Sequence, residues 1–174
     1  WLRRRGHHAR RLRRESAGVA AACAPLASLD DTALAARIIT LREAVRRDPI
    51  EAGGKRVDAL AAIGEAAYRS LGMRPYPVQF MGALALHEGW LAEMATGEGK
   101  TLTAALAAVL AAWSGEPVHL VTSNDYLAAR DAEEMAPLYE RCGVSVASVV
   151  STDKPDERVA RYGADVVYLT AKIG

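Results

Sequence analysis

One segment constrains the fold of this chain more than any other part of its sequence. Residues 94–101 read MATGEGKT, between a short apolar stretch at residues 90–94 and a long apolar run at residues 101–114. The stretch predicts a strand and the run predicts a helix, and a glycine-containing loop between two such elements is the usual context of a phosphate-binding loop. Gly97 and Gly99 allow the backbone to curl so that successive amides point inward at phosphate oxygens. The helix that follows adds the positive end of its dipole.

Two side chains of this phosphate loop extend the prediction to a nucleotide with magnesium. Lys100 supplies a positive charge for the β- and γ-phosphates, and Thr101 offers a hydroxyl to the metal. Met94 stands where the general pattern has glycine, a departure that favours helicase-type motors. A carboxylate would repel phosphates, so we expect the Glu98 side chain to point towards solvent or a partner. The alternative is a surface turn, in which Lys100 is an exposed lysine at a helix start.

A second candidate site precedes the loop by about twenty residues. The amide of Gln79 has both donors and an acceptor, so it can match the edge of adenine. Tyr76 could cover the base by stacking. The alternative is that Gln79 is an ordinary exposed residue of a helix.

The rest of the chain alternates between helical and strand patterns. Ser28 is predicted to cap an amphipathic helix that extends to Arg47, and the Gly53-Gly54 pair to break the chain after it. Further helices are predicted at residues 57–71, 78–86, 101–114, 124–142 and 154–162, and strands at residues 90–94, 118–122, 144–150 and 166–169. Strands that alternate with helices predict a parallel sheet covered by helices.

The charge is concentrated at one end of the chain. Seven arginines and no acidic residue lie within residues 1–14, which leaves fewer basic than acidic residues in the remainder. Such an arm is attracted to anionic lipid, nucleic acid or an acidic partner, and the alternative is a solvated, disordered end. The two cysteines are far apart in sequence, which argues against a metal site or a disulfide framework.

Several segments together resemble the SecA family, the ATPases of bacterial preprotein translocation. The phosphate loop and the segment VHLVTSNDYLAARDAE at residues 118–133 are the most specific of them. The resemblance covers about residues 28–170. Its segments are Leu71–Gln79, His87–Gly89, Ala92–Leu102, Val118–Glu133, Tyr162–Tyr168 and the helical stretches Leu29–Val45 and Asp58–Gly72.

This resemblance implies an α/β fold of the RecA-like, helicase-superfamily type, preceded by N-terminal helices. It implies ATP or ADP with Mg²⁺ as cofactor. The residues that would contact the nucleotide are Met73, Tyr76, Gln79, Gly97, Glu98, Gly99, Lys100 and Thr101. The segment Asn124–Arg130 would belong to a surface for conformational coupling. The partners would be a preprotein, a SecYEG-like membrane channel, anionic lipid and a second copy of the chain, at the cytoplasmic face of the cell membrane.

The resemblance also sets the expected organisation and activity. We expect a basic arm at residues 1–27, either disordered or helical, N-terminal helices at 28–72, and part of a nucleotide-binding domain at 73–174. The family continues after YGADVVY with a threonine and two asparagines, whereas this chain reads LTAKIG, which favours an accessory or divergent member. The acidic motif that holds magnesium is not reached, so we expect this chain to bind nucleotide without hydrolysing it. The alternatives are part of a helicase-like nucleic-acid motor and a non-catalytic nucleotide-binding module.

Overall fold

The computed structural model describes residues 2–48 and 54–171 as helices around a small sheet. The helices are α1 (Leu2–Ala27), α2 (Asp31–Arg47), α3 (Gly54–Leu71), α4 (Pro77–His87), α5 (Lys100–Trp113), α6 (Asp125–Arg141) and α7 (Pro155–Arg161). The strands are β1 (Val118–Thr122), β2 (Val146–Ser148) and β3 (Val166–Thr170). Within the described ranges, no helix combines the length and apolar character that crossing a membrane requires. Gly53, part of the predicted chain break, and residues 172–174, part of the altered final motif, lie outside these ranges.

The N-terminal residues form a long helix that packs onto the rest of the chain. Helix α1 contacts α3 and α4, and Leu12 and Val19 on α1 are buried in the main apolar core. Of the two states expected for residues 1–27, the described part adopts the helical one. One core thus extends from α1 to β3, while the division of the chain at residues 27 and 72 stays a prediction.

Helix α2 begins two residues later than the sequence indicated. Asp30, not Ser28, is the N-cap, since the Asp30 carboxylate accepts a hydrogen bond of 2.7 Å from the amide of Ala33. The Ser28 hydroxyl instead donates to the carbonyl of Pro25 at the end of α1. The predicted apolar face is confirmed by the buried residues Leu34, Ile38, Leu41 and Val45.

The sheet has three parallel strands in the order β1-β3-β2. All five residues of the central strand β3 are buried, as expected for a strand with neighbours on both sides and cover on both faces. Val166 and Tyr168 face the main core, whereas Val167 and Leu169 pack with Val149 in a smaller cluster. The predicted α/β class with a parallel sheet is confirmed.

The predicted strand at residues 90–94 is wrong. Residues 90–95 lie outside the helices and strands and pair with no described strand. This stretch between α4 and the loop is called the extended segment below. Leu91 is 96% exposed, so the apolar character that suggested a buried strand is not matched by burial. The strand predicted at residues 144–150 is also shorter, because only Val146–Ser148 pairs with β3.

Candidate nucleotide-binding site

The phosphate loop lies where the chain turns from the extended segment into α5. Gly97 and Gly99 both have positive φ angles, 86° and 77°, which residues with a side chain rarely adopt. Gly99 is the N-cap of α5, and Lys100 is the first residue of the helix. The first amides of α5 have no partner within the helix, so they are available to an anion together with the helix dipole.

The side chain of Gln79 connects α4 to this loop. Its Nε2 donates a hydrogen bond of 3.1 Å to the carbonyl of Glu98, and its Oε1 accepts one of 2.9 Å from the amide of Tyr76. Gln79 is only 6% exposed. The approach is close enough that a Cβ added at Gly99 would lie 2.1 Å from Gln79 Nε2. Both ends of the amide are therefore engaged within the chain, a role that the sequence did not reveal.

Two charged side chains of the loop meet at Ala95. The Lys100 ammonium donates a hydrogen bond of 2.9 Å to the Ala95 carbonyl. The Glu98 carboxylate accepts one of 2.8 Å from the Ala95 amide. Glu98 is exposed, as expected, but its carboxylate also folds back onto the loop through this hydrogen bond, which the sequence analysis did not predict. Since an ammonium has three N–H donors, two remain on Lys100 for a ligand.

The remaining predicted site residues, Thr101, Tyr76 and Met73, differ in how exposed they are. Thr101 is half-buried in the first turn of α5. Tyr76 is 70% exposed and Met73 is 39% exposed at the approach to α4, so both are accessible to a ligand. None of the hydrogen bonds described above joins Met73 or Thr101 to Gln79.

Thr103 is a supporting residue that the sequence analysis missed. Its buried hydroxyl donates a hydrogen bond of 3.1 Å to the carbonyl of Gly99. Its methyl group lies against Gly82 of α4, where an added Cβ would be 2.8 Å away. A threonine among the apolar residues of α5 was the signal in the sequence that could have indicated this role. The close approach of α4 to Thr103 explains why position 82 is occupied by glycine.

A cavity of about 660 Å³ lies beside the loop, between α1, α4 and the extended segment. Its lining is mostly apolar and includes Leu12, Met81, Trp90 and Met94. The extended segment therefore has open space on one side, and its position depends on contacts made at its ends.

A cluster of four charged residues fixes the start of that segment. The Glu88 carboxylate, at the end of α4, accepts hydrogen bonds from both terminal guanidinium nitrogens of Arg11 and one of 2.8 Å from Arg56. Arg11 and Arg56 also both pair with Glu15. The hydrogen bond from Arg11 lowers the pKa of Glu88 against the opposing effect of burial, and Arg56 lowers it further. Burial lowers the pKa of the neighbouring His87, with the Arg56 charge as a second cause.

The segment predicted to belong to a coupling surface begins at the same edge of the sheet as the ends of β1 and β3. Asn124 caps α6 through a hydrogen bond of 2.9 Å from the amide of Leu127. The Asp125 carboxylate accepts hydrogen bonds from Ser151 and, at 3.2 Å, from the hydroxyl of Thr170. Asp125 thereby ties the start of α6 to the end of β3, a contact that the sequence analysis did not foresee.

Comparisons with known proteins place this arrangement in context. A family model described as the SecA DEAD-like domain matches residues 1–173. The protein translocase subunit SecA 2 of Magnetococcus marinus is 50% identical over 170 residues, which cover 98% of this chain and 26% of that protein. SecA 2 of Chlorobium chlorochromatii is 51% identical over 139 residues, or 80% of this chain and 21% of that protein. SecA of Alcanivorax borkumensis is 54% identical over 113 residues, or 65% and 12%. The chain thus spans about a quarter or less of the length of these relatives.

Proposed function

From the premise that this chain belongs to the SecA DEAD-like domain family, we propose that it is the nucleotide-binding part of a motor that drives protein translocation. The observation that carries the proposal is the loop geometry. Gly97 and Gly99 hold positive φ angles, and α5 begins at Lys100 directly behind them. A nucleotide phosphate is the ligand that this combination of free amides, helix dipole and lysine favours.

The proposed ligand is ATP or ADP with Mg²⁺. The loop amides at Gly97, Glu98 and Gly99 and the Lys100 ammonium would hold the phosphates, and the Thr101 hydroxyl would face the metal. The Glu98 amide donates a hydrogen bond of 3.3 Å to the Ala95 carbonyl, so a contact with phosphate requires it to share or exchange that bond. Bound magnesium would neutralise part of the phosphate charge. Adenine would lie near the other three predicted residues, namely Met73, Tyr76 and Gln79. Since both ends of the Gln79 amide are engaged, a contact with the base requires it to share or exchange those hydrogen bonds.

The wider role follows from what the relatives are named, protein translocase subunits. We propose that the whole protein is an ATPase that moves preprotein through a SecYEG-like channel, working at the cytoplasmic face of the membrane. Exposed arginines of α1 would attract anionic lipid, at about 1 kcal/mol for each basic residue near the surface. The motor would close and reopen with each nucleotide cycle, and a second copy of the chain is a further proposed partner.

The decisive experiment compares two lysine substitutions by thermal unfolding with and without ADP and Mg²⁺. Lys100→Ala removes the charge from the loop, whereas Lys154→Ala removes an exposed lysine elsewhere. Ligand at about 100 times its Kd stabilises the folded state by about 2.7 kcal/mol. We expect this stabilisation in the unsubstituted chain and in Lys154→Ala, and its loss in Lys100→Ala. Equal stabilisation of all three proteins would contradict the assigned site, and none in any of them would contradict nucleotide binding.

A further inference from the structure

The extended segment that leads into the phosphate loop has little support of its own. Within the part of the chain that the structure describes, Leu91–Met94 forms no backbone hydrogen bonds. One side of the segment faces the cavity. Its position, and through it the position of the loop, therefore depends on side-chain contacts near its beginning.

Those contacts come from one face of α1. The ring of His8 lies 4.9 Å from the ring of Trp90. Arg11 donates two hydrogen bonds to Glu88, one of them 2.8 Å long. Glu15 pairs with Arg11 at 2.9 Å. The spacing of three and then four residues places His8, Arg11 and Glu15 on the same side of the helix.

The ionic part of this contact is largely shielded from water. The side chain of Arg56 is 9% exposed and that of Glu88 is 16% exposed, while those of Glu15 and Arg11 are 22% and 25% exposed. Charge pairs in such surroundings are screened less than pairs on the surface. Removing Arg11 leaves Glu88 and Glu15 with Arg56 as their one remaining described ion-pair partner. Detachment of α1 would remove Arg11 and Glu15 together.

We infer that α1 is a positioning element for the phosphate loop. Arg11 and Glu88 are the positioning residues that couple the packing of α1 against the chain to nucleotide affinity. The inference rests on the proposed function for its nucleotide half. When α1 is docked, Glu88 holds the start of the extended segment in place and the loop is preorganised. A partner that detaches α1 lowers nucleotide affinity. Because coupling is reciprocal, bound nucleotide in turn holds α1 in place.

The test compares Arg11→Glu with Arg14→Glu, in the absence of lipid. Both substitutions reverse one charge on α1, but Arg14 is exposed and Arg11 contacts Glu88. ADP affinity is measured by titration at a temperature where both variants are fully folded by circular dichroism. We expect Arg11→Glu to weaken ADP binding by about fivefold or more, the lower end of usual coupling between sites. Arg14→Glu should bind ADP as the unsubstituted chain does.

Hydrogen exchange supplies a readout that does not depend on nucleotide. The amides of Glu88, Gly89 and Trp90, which donate to carbonyls of α4, should exchange faster in Arg11→Glu than in Arg14→Glu, while peptides from β3 should be unchanged. ADP should also slow tryptic cleavage within α1 of the unsubstituted chain. Unchanged exchange at residues 88–90 together with unchanged ADP affinity would overturn the inference.

Glu88→Gln separates positioning from general loss of stability. The glutamine keeps a hydrogen-bond acceptor for Arg11 but removes the charge, so we expect an intermediate effect on ADP affinity and on exchange. If Arg11→Glu and Glu88→Gln lose thermal stability but retain normal ADP affinity and normal exchange, the cluster is only structural and the inference is wrong. If Lys100→Ala binds ADP normally as well, the proposed function fails instead, and the exchange result alone decides the positioning role.

Discussion

The close approach of Gln79 to Gly99 predicts that two similar substitutions in the phosphate loop will differ in their cost to stability. Gly97 and Gly99 both have positive φ angles. A Cβ at Gly99 would lie 2.1 Å from Gln79 Nε2, whereas a Cβ at Gly97 would have no heavy atom within 4 Å. Gly97→Ala therefore introduces backbone strain alone, and Gly99→Ala introduces the same strain together with a collision.

The expected magnitudes follow from these two effects. Left-handed backbone costs an alanine about 1–2 kcal/mol, and the lower entropy of the unfolded alanine chain offsets about 0.4–1 kcal/mol of this. Gly97→Ala should thus lower the free energy of unfolding by about 1 kcal/mol. Gly99→Ala should also displace Gln79 from its hydrogen bonds to Glu98 and Tyr76, each worth about 1 kcal/mol. Its total cost is about 3 kcal/mol.

The assay is thermal and urea unfolding of both variants, with Gln79→Ala as a third protein and Gln79→Ala/Gly99→Ala as a fourth. The difference of about 2 kcal/mol between the glycine variants corresponds to about 4–8 °C in Tm for a chain of this size. In the Gln79→Ala background the collision is absent, so Gly99→Ala should cost only about 1 kcal/mol there. Equal losses for the two glycine variants, or full additivity in the double variant, would refute the reasoning.

Two further predictions concern stability. Below about pH 6.5, the usual pKa of histidine, stability should begin to fall, because burial lowers the pKa of His87 and the folded state then binds fewer protons than the unfolded state. The loss should continue below about pH 4.3, the usual pKa of a glutamate, because the folded-state pKa of Glu88 is also lowered, chiefly by its hydrogen bond with Arg11. Tm measured from pH 7 to about pH 3 tests both, and His87→Gln should remove the first part; a flat curve would contradict them. Asp125→Ala should lower the free energy of unfolding by about 2 kcal/mol through its lost hydrogen bonds to Ser151 and Thr170, whereas Glu133→Ala on the exposed side of α6 should change it little; equal effects in urea unfolding would contradict the assigned role of Asp125.

The family, the fold class and most of the elements could be predicted because their signals are local. Leu34, Ile38, Leu41 and Val45 repeat with helical spacing, and the structure buries all four. Asn124 caps α6 from the position that its side chain favours. The family match over residues 1–173 confirms the resemblance that the phosphate loop and residues 118–133 indicated.

The errors arose where a local signal needed a distant partner. Ser28 and Asp30 are both good N-caps, and the choice between them depends on where α1 ends, since Ser28 is used by the carbonyl of Pro25. Residues 90–94 have the composition of a strand, but a strand also requires a neighbour to pair with, and none of the described strands provides one. Composition alone could not reveal that.

Charged residues were the hardest to place from the sequence. The arginines near the N-terminus suggested a solvated arm, yet Arg11 is bound to Glu88, which lies 77 residues away along the chain. Glu98 was expected to avoid the loop because of its charge, but the amide of Ala95, three residues earlier, offers it a short-range hydrogen bond. In both cases a specific hydrogen-bond partner outweighed the general preference of a charge for water.

The shape of the candidate site depends both on residues of the loop itself and on residues that are distant from it in sequence. The loop motif itself supplies two glycines with positive φ angles and places Lys100 and Thr101 in the first turn of α5, the arrangement proposed above to hold phosphate. Gln79 of α4 secures the second half of the loop through the Glu98 carbonyl, and Glu88 secures the segment before it through α1 and α3. The intervening residues 91–94 lack backbone hydrogen bonds to the described chain. A displacement at Gln79 or at Glu88 therefore meets no backbone contact in this stretch that would oppose it. The geometry of the loop is therefore more sensitive to changes in α1 and α4 than its short, self-contained motif suggests.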